Sequence, residues 1–267
     1  MHKSPRVSLL SLVVFFALRA FALPEFIPPQ ERAQGHSLAG AVQFNDSLYS
    51  NPAASAFTQV YSVEGSLAKN VLAASVIDTK TSYVGGSLGY LRREDSETGE
   101  KLEALRLGVC RKINDALAIG VMGKTLWNST QRMNDSDVGI LAKLTPIELG
   151  FVARNLLGGA RDLENQQREY ALGARLGFKD TLYFSASTQA TDRTVFAPYE
   201  YGIGAEFVSP YFFSIKGGHR WKMDTGERLW STGVSLLSPR LLAHYSVEFS
   251  PIAGGTSNHQ VAVSLLF

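Results

Sequence analysis

From residue 57 to its end the chain repeats one pattern, short stretches in which every second position is apolar. They fall at approximately 57–68, 70–78, 82–92, 102–111, 116–127, 137–144, 147–156, 168–178, 181–190, 199–208, 211–221, 229–237, 241–249 and 258–267. A period of two sends successive side chains to opposite faces of an extended strand. In 169–178, Tyr170, Leu172, Ala174, Leu176 and Phe178 share one face, and Glu169, Ala171, Gly173, Arg175 and Gly177 the other. In 243–249, Ala243, Tyr245, Val247 and Phe249 oppose His244, Ser246 and Glu248. The final stretch sets Val261, Val263, Leu265 and Phe267 against Gln260, Ala262 and Ser264. The pattern predicts an all-β chain of about fourteen strands, each with one oily and one wet face.

The joints between strands alternate in length. Tight ones at 78–81, 112–115, 145–146, 179–180, 209–210 and 238–240 interleave with longer, more polar ones at 93–101, 128–136, 157–167, 191–198, 222–228 and 250–257. The hairpin through Lys69 is the one short connection in the second set. Short periplasmic turns alternating with longer outer loops is the pattern of a transmembrane antiparallel β-barrel. Period two alone also fits a periplasmic sandwich or propeller. Aromatic residues near strand ends, among them Tyr90, Trp127, Tyr170, Phe178, Trp221, Trp230 and Phe267, favour the barrel, whose interfaces carry aromatic girdles. The last strand carries no charge or proline to protect it as an edge. Closing it against the first strand, near 57–68, removes the edge altogether.

Residues 1–22 read as a signal peptide. Met1 to Arg6 is basic, Val7 to Leu18 is apolar but too short to span a bilayer, and Ala20-Phe21-Ala22 is an A-x-A cleavage site. The alternative is an uncleaved anchor. Export to the bacterial envelope suits the single Cys110, which leaves no intrachain disulfide. A formal net charge of +2 argues against a nucleic-acid partner. There is no P-loop, dinucleotide fingerprint or Cys/His ligand cluster, so neither a cofactor nor a metal is expected. Asn128-Ser129-Thr130 matches a glycosylation sequon, read here as a polar loop.

Residues 23–56 differ from the rest. Pro24, Pro28 and Pro29 forbid regular strand pairing, and Asp46 or Ser47 is placed to cap a short helix before Pro52. Gly35 to Ala41, then Asn45-Asp46, then Asn51-Pro52-Ala53 running into a strand, resemble the N-terminal signature of the outer-membrane long-chain fatty acid transporter superfamily. The resemblance implies a fourteen-stranded outer-membrane barrel (57–267) whose lumen holds 23–56 as a hatch, with Asn51, Pro52 and Ala53 inside it. The present chain is shorter than those transporters and lacks their long loop insertions. It looks more like compact members of the superfamily, some of which resemble secretion accessories. Val263, Leu265 and Phe267 also resemble the terminal signal read by the barrel assembly machinery.

By parity, Arg106, Lys124, Glu148, Arg154, Arg175, Glu200, Glu206, Lys216, His244 and Glu248 face the lumen, with Lys143 and Arg220. They are candidates to line a ligand path, or else form ion pairs across the wall. The lumen is more charged than a fatty acid carrier needs. Three functions follow: a passive transporter of small hydrophobic molecules, an envelope scaffold or secretion accessory anchored by the barrel, and a lipid hydrolase. The last rests on His244 and Ser246, which resemble the His-x-Ser pair of outer-membrane phospholipases but face the lumen with no third residue to orient the histidine. Expected partners are outer-membrane lipid, the assembly machinery, a small hydrophobic ligand, and for the scaffold an envelope protein.

Overall fold

The computed structural model describes residues 26–38, 44–95, 98–158, 167–192, 198–251 and 257–267. The expected signal peptide with its cleavage at Ala22, and residues 39–41 of the glycine-rich stretch, lie outside them. Fourteen antiparallel strands close into one barrel: β1 (Tyr61–Ala68), β2 (Val71–Asp78), β3 (Gly85–Glu94), β4 (Lys101–Lys112), β5 (Leu117–Trp127), β6 (Arg132–Leu144), β7 (Ile147–Arg154), β8 (Glu169–Phe178), β9 (Leu182–Thr191), β10 (Glu200–Val208), β11 (Phe213–Lys222), β12 (Arg228–Leu237), β13 (Leu241–Phe249) and β14 (Ser257–Leu266). Each strand pairs with its sequence neighbours, and β14 returns to β1 with Val263 opposite Gly65 and Leu265 opposite Val63. Beyond the last strand, the Phe267 amide donates to the Tyr61 carbonyl at 2.9 Å, and the two rings meet edge to face at 5.7 Å. The unprotected final strand therefore has a β1 partner from Gln260 to Leu266.

Alternation sorts the two faces. Outward positions such as Leu67, Leu107, Ile140, Leu149, Leu172, Ile203, Ile215, Val234 and Val261 are exposed large hydrophobics, a belt that only a bilayer covers. Among the described residues no helix is long and apolar enough to cross a membrane. Inward positions are buried; Ser62, Ser66, Gln260 and Ser264 at the seam are small or polar, and Ile77, Leu91, Leu102, Met122 and Leu126 form an apolar cluster with Leu48 and Tyr49.

Three strand starts differ by three residues or more from those predicted. β6 begins at Arg132 rather than near 137. Its first residues, Arg132 to Ser136, are polar on both faces except Met133, so no oily-wet contrast marks the strand there. β1 begins at Tyr61 rather than 57: Ala54–Phe57 is a 3₁₀ turn, and Phe57 packs with Leu38, Ala53, Ala54 and Leu141 inside the barrel instead of facing lipid. β3 begins at Gly85, because 82–84 belong to the turn, where Tyr83 lies under the Arg111 guanidinium at 4.5 Å.

Candidate functional site

The N-terminal segment fills the lumen. Pro28 and Pro29 start a single helical turn, α1 (Pro29–Ala33), at the position where a missing N–H costs nothing. A 3₁₀ turn, Phe44–Leu48, follows, then Asn51-Pro52-Ala53 and the turn at Ala54–Phe57. Asp46 does not cap its own turn. Its carboxylate accepts the Gln30 amide at 3.2 Å, an orphan donor in the first turn of α1, and so joins the two parts of the segment. Burial, then the nearby Glu64 and Glu31 carboxylates, raise the Asp46 carboxyl well above the ordinary range. Burial likewise raises the Tyr49 phenol.

The barrel wall is carved to the backbone of this segment. Gly35 and His36 both take the left-handed conformation (φ +65° and +58°) as the chain turns after α1. That turn lies flat on β10 and β11. A β-carbon on Gly202 would meet the Gly35 carbonyl oxygen, and one on Gly218 would meet the Gln34 carbonyl carbon. Across the lumen, a β-carbon on Gly120 would overlap the Pro52 backbone, and one on Gly139 would overlap the Asn51 side chain. Gly120, Gly139, Gly202 and Gly218 thus each stand directly against the segment.

Asn51 has two tasks. Its Oδ1 accepts the Ala53 amide at 3.0 Å, closing a tight Asx turn, and its Nδ2 donates to the Ile140 carbonyl of β6 at 3.2 Å. Pro52 fits the turn, and Ala53 is fully buried where a larger side chain has no room.

The ten charged or polar candidates fall into three groups. Toward the outer end, Lys124 pairs with Asp137 at 2.8 Å. Arg154 donates to the Ser50 carbonyl at 3.0 Å and lies 3.6 Å from Glu169, and Arg106 reaches the Leu48 carbonyl while stacking over Tyr49 at 5.0 Å. Two of these three therefore grip the segment itself. At the long-loop ends of β10, β11 and β13, Glu200 meets His36 at 2.5 Å and Arg220 at 3.5 Å, and Glu248 meets Arg220 at 3.2 Å and Arg32 at 3.7 Å. Toward the periplasmic end, Arg175 bridges Glu148 (3.5 Å) and Glu206 (3.1 Å), and Lys216 joins Glu206 at 3.0 Å. Lys216 also donates to Ser235, whose hydroxyl lies 2.7 Å from His244 Nδ1.

His244 and Ser246 both face the lumen and are buried. The histidine bonds across to Ser235 on β12 rather than to Ser246, two residues away along its own strand. Sequence reasoning did not single out Asp137, the partner of Lys124, nor Glu31, Arg32 and His36, through which the segment reaches the wall. Asp137 stood at a predicted strand end, and the other three lie in a proline-rich stretch without periodicity.

With the segment in place, a cavity lined by Phe26, Tyr49, Leu91, Arg106, Lys124 and Asp137, among others, measures about 40 Å³. A cavity that takes benzene needs roughly 150 Å³. That space holds a water or two and no hydrocarbon.

No family model matches the chain, and no curated protein matches it in sequence. Solved structures do match. The Ralstonia pickettii toluene transporter TbuX superposes with a TM-score of 0.73 at 12% identity, over 91% of this chain and 99% of that one. The Pseudomonas putida toluene transporter TodX gives 0.68 at 11% identity, over 91% and 98%. A Pseudomonas aeruginosa FadL homologue gives 0.59 at 14% identity, over 92% and 99%. At these identities the likeness establishes architecture: the chain has the barrel fold of the toluene transporters and the FadL homologue.

Proposed function

We propose that this chain is a bacterial outer-membrane channel that passively admits small hydrophobic molecules, with the N-terminal segment 23–56 as its hatch. The observation that carries the reading is the fit between wall and hatch. Inward glycines on β5, β6, β10 and β11 admit the backbone of the N-terminal segment, and the cavity between Tyr49 and Arg106 on its other side measures about 40 Å³. A plug so closely matched implies a lumen worth closing. The substrate class follows from the architecture shared with two toluene transporters. The export signal cleaved near Ala22, recognition of Val263, Leu265 and Phe267 by the barrel assembly machinery, and binding of a hydrophobic ligand belong to the same proposal.

The charged lumen, which suggested a scaffold or secretion accessory, has a different cause under this reading. Its charges are spent on one another and on the hatch, as the pairs of Glu200, Glu248 and Arg154 illustrate. The His244 region is read as hydrogen bonding within the wall.

The test is uptake of a labelled monoaromatic hydrocarbon by cells carrying the full chain or a form lacking 34–56. Both forms must give a heat-modifiable barrel in the outer membrane. Uptake above the empty-strain background, raised further by the deletion, supports the channel and the hatch. Uptake at background in both forms sinks the reading.

A further inference from the structure

Six buried groups link the hatch to the wall in a chain of alternating charge. Glu31 on α1 faces His36 Nε2 at 3.2 Å, His36 Nδ1 faces Glu200 at 2.5 Å, and Glu200 faces Arg220 at 3.5 Å. Arg220 reaches Glu248 at 3.2 Å, and Glu248 meets Arg32 at 3.7 Å, one residue along α1 from Glu31. The chain thus closes on itself through the hatch helix. All six side chains are buried.

His36 is the member whose charge is conditional. A neutral imidazole has one N–H and one lone pair, so it can donate to only one carboxylate. Here both ring nitrogens face carboxylates, one from the hatch and one from β10. Only the imidazolium donates to both. With it, three cations face three carboxylates; without it, the same closed chain holds a surplus buried negative charge, which is costly where no water can relieve it.

Other groups around the ring do not replace that proton. The Gln189 amide nitrogen of β9 lies 2.8 Å from Nδ1 and 3.2 Å from Nε2 and donates to Glu200 at 3.3 Å, but it carries no charge, and the Ser187 hydroxyl donates to the His36 carbonyl at 2.6 Å. Lys222 lies near enough to act on Glu200 but is paired with Glu227 at 3.1 Å. Asp46 faces Glu31 from the neighbouring turn, and its ionisation would add to the negative side.

We propose that His36 is a protonation-dependent latch: as imidazolium it clamps the hatch to β10, and its loss of a proton to solvent base at higher pH releases the hatch. The proposal regulates the hatch described above and rests on that reading. It differs from it in saying when the hatch moves.

Hydrogen exchange on the full-length folded barrel in detergent tests it, with peptides covering 29–38 followed from about pH 6 to about pH 10 and corrected for intrinsic exchange. Hatch protection in the native chain is expected to fall at least about tenfold over that range while β5 and β6 stay protected. His36→Asn keeps a residue tolerant of the left-handed backbone but removes the charge. It is expected to give a hatch that is weakly protected at every pH. Asp46→Asn is expected to raise protection at neutral pH and to leave the fall toward high pH in place.

Should His36→Asn fail to yield a heat-modifiable barrel, Glu200→Gln takes its place and should move the loss of protection to lower pH. Nitrogen chemical shifts of His36 should show both ring nitrogens protonated at low pH and one at high pH, with the change tracking the loss of protection. A flat profile in the native chain, a native profile in His36→Asn, an unmoved one in Glu200→Gln, or abolition by Asp46→Asn alone overturns the latch. Protection that titrates without any hydrocarbon uptake upholds the latch and overturns the channel. Uptake through a chain whose hatch protection does not titrate overturns the latch and leaves the channel standing.

Discussion

Adding one methyl group to the wall should open the hatch. Gly120 sits on β5 with its α-carbon against the peptide joining Pro52 and Ala53, and a β-carbon there would overlap the Pro52 carbonyl group and the Ala53 nitrogen. The obstruction is backbone on both sides, so no side-chain rotation relieves it. Overpacking of this kind costs about 1–3 kcal/mol. The strand gains slightly from losing a glycine, so the cost falls on the docked hatch rather than on the barrel. At about 0.6 kcal/mol for RT, Gly120→Ala should raise the undocked population from about fivefold to about 150-fold. Gly65 is the control, since it points outward from β1 and a β-carbon there meets nothing within 4 Å. The assay is limited proteolysis of residues 23–56 in folded barrels, with heat-modifiability confirming that each barrel is intact. Equal cleavage rates in Gly120→Ala and Gly65→Ala would refute the claim that the wall is fitted to the hatch.

Further outcomes follow from the same contacts. Lys124→Ala leaves Asp137 buried without its cation and should lower barrel stability by about 3–5 kcal/mol in urea unfolding, with Asp137→Asn in the same chain restoring much of the loss. Asp46, with its carboxyl raised by burial and by Glu64 and Glu31, binds its proton more tightly when the hatch is docked. Its contribution to docking is therefore full below the ordinary carboxylate range and lost as pH rises toward the docked value, and Asp46→Asn should increase hatch protection at neutral pH. Ser246→Ala removes a buried hydroxyl that has no partner among the described residues, so stability should hold or rise by up to about 1 kcal/mol and membrane lipid profiles should not change. Removing Phe267 deletes the amide bond and ring contact to Tyr61 at the seam and should reduce the yield of heat-modifiable barrel in the outer membrane more than any single lumen substitution.

The strands were legible because lipid imposes one rule on every outward position from β1 to β14, and water-facing joints interrupt it. Where the rule lapses the reading lapsed too. Residues 132–136 are wet on both faces beyond the belt, and Phe57 is apolar because it packs under the hatch rather than against lipid. Parity sufficed to turn Arg106, Lys124, Glu200 and Glu248 inward, since a period of two needs no knowledge of neighbours. It could not say what they would meet. Glu200 finds His36 more than 160 positions away because barrel closure and the path of the hatch bring them together, and neither is written in a local pattern. The resemblance around Asn51-Pro52-Ala53 pointed to a hatch. It did not reveal that Glu31, Arg32 and His36 carry much of its attachment, because α1 is one turn long and has no period to read. His244 shows the opposite error: adjacency in sequence suggested Ser246, whereas cross-strand register supplies Ser235.

The central claim is that this hatch must move for a molecule to pass, and a removable lock tests it most directly. The Ser37 and Ser185 hydroxyl oxygens meet at 2.5 Å between the hatch turn and β9, a separation that a disulfide between cysteines at these positions can span. With Cys110→Ser to remove the native thiol, Ser37→Cys and Ser185→Cys should form a barrel whose hydrocarbon uptake is blocked when oxidised and restored by reductant. Uptake that is the same before and after reduction, with the crosslink shown to be complete, would contradict it.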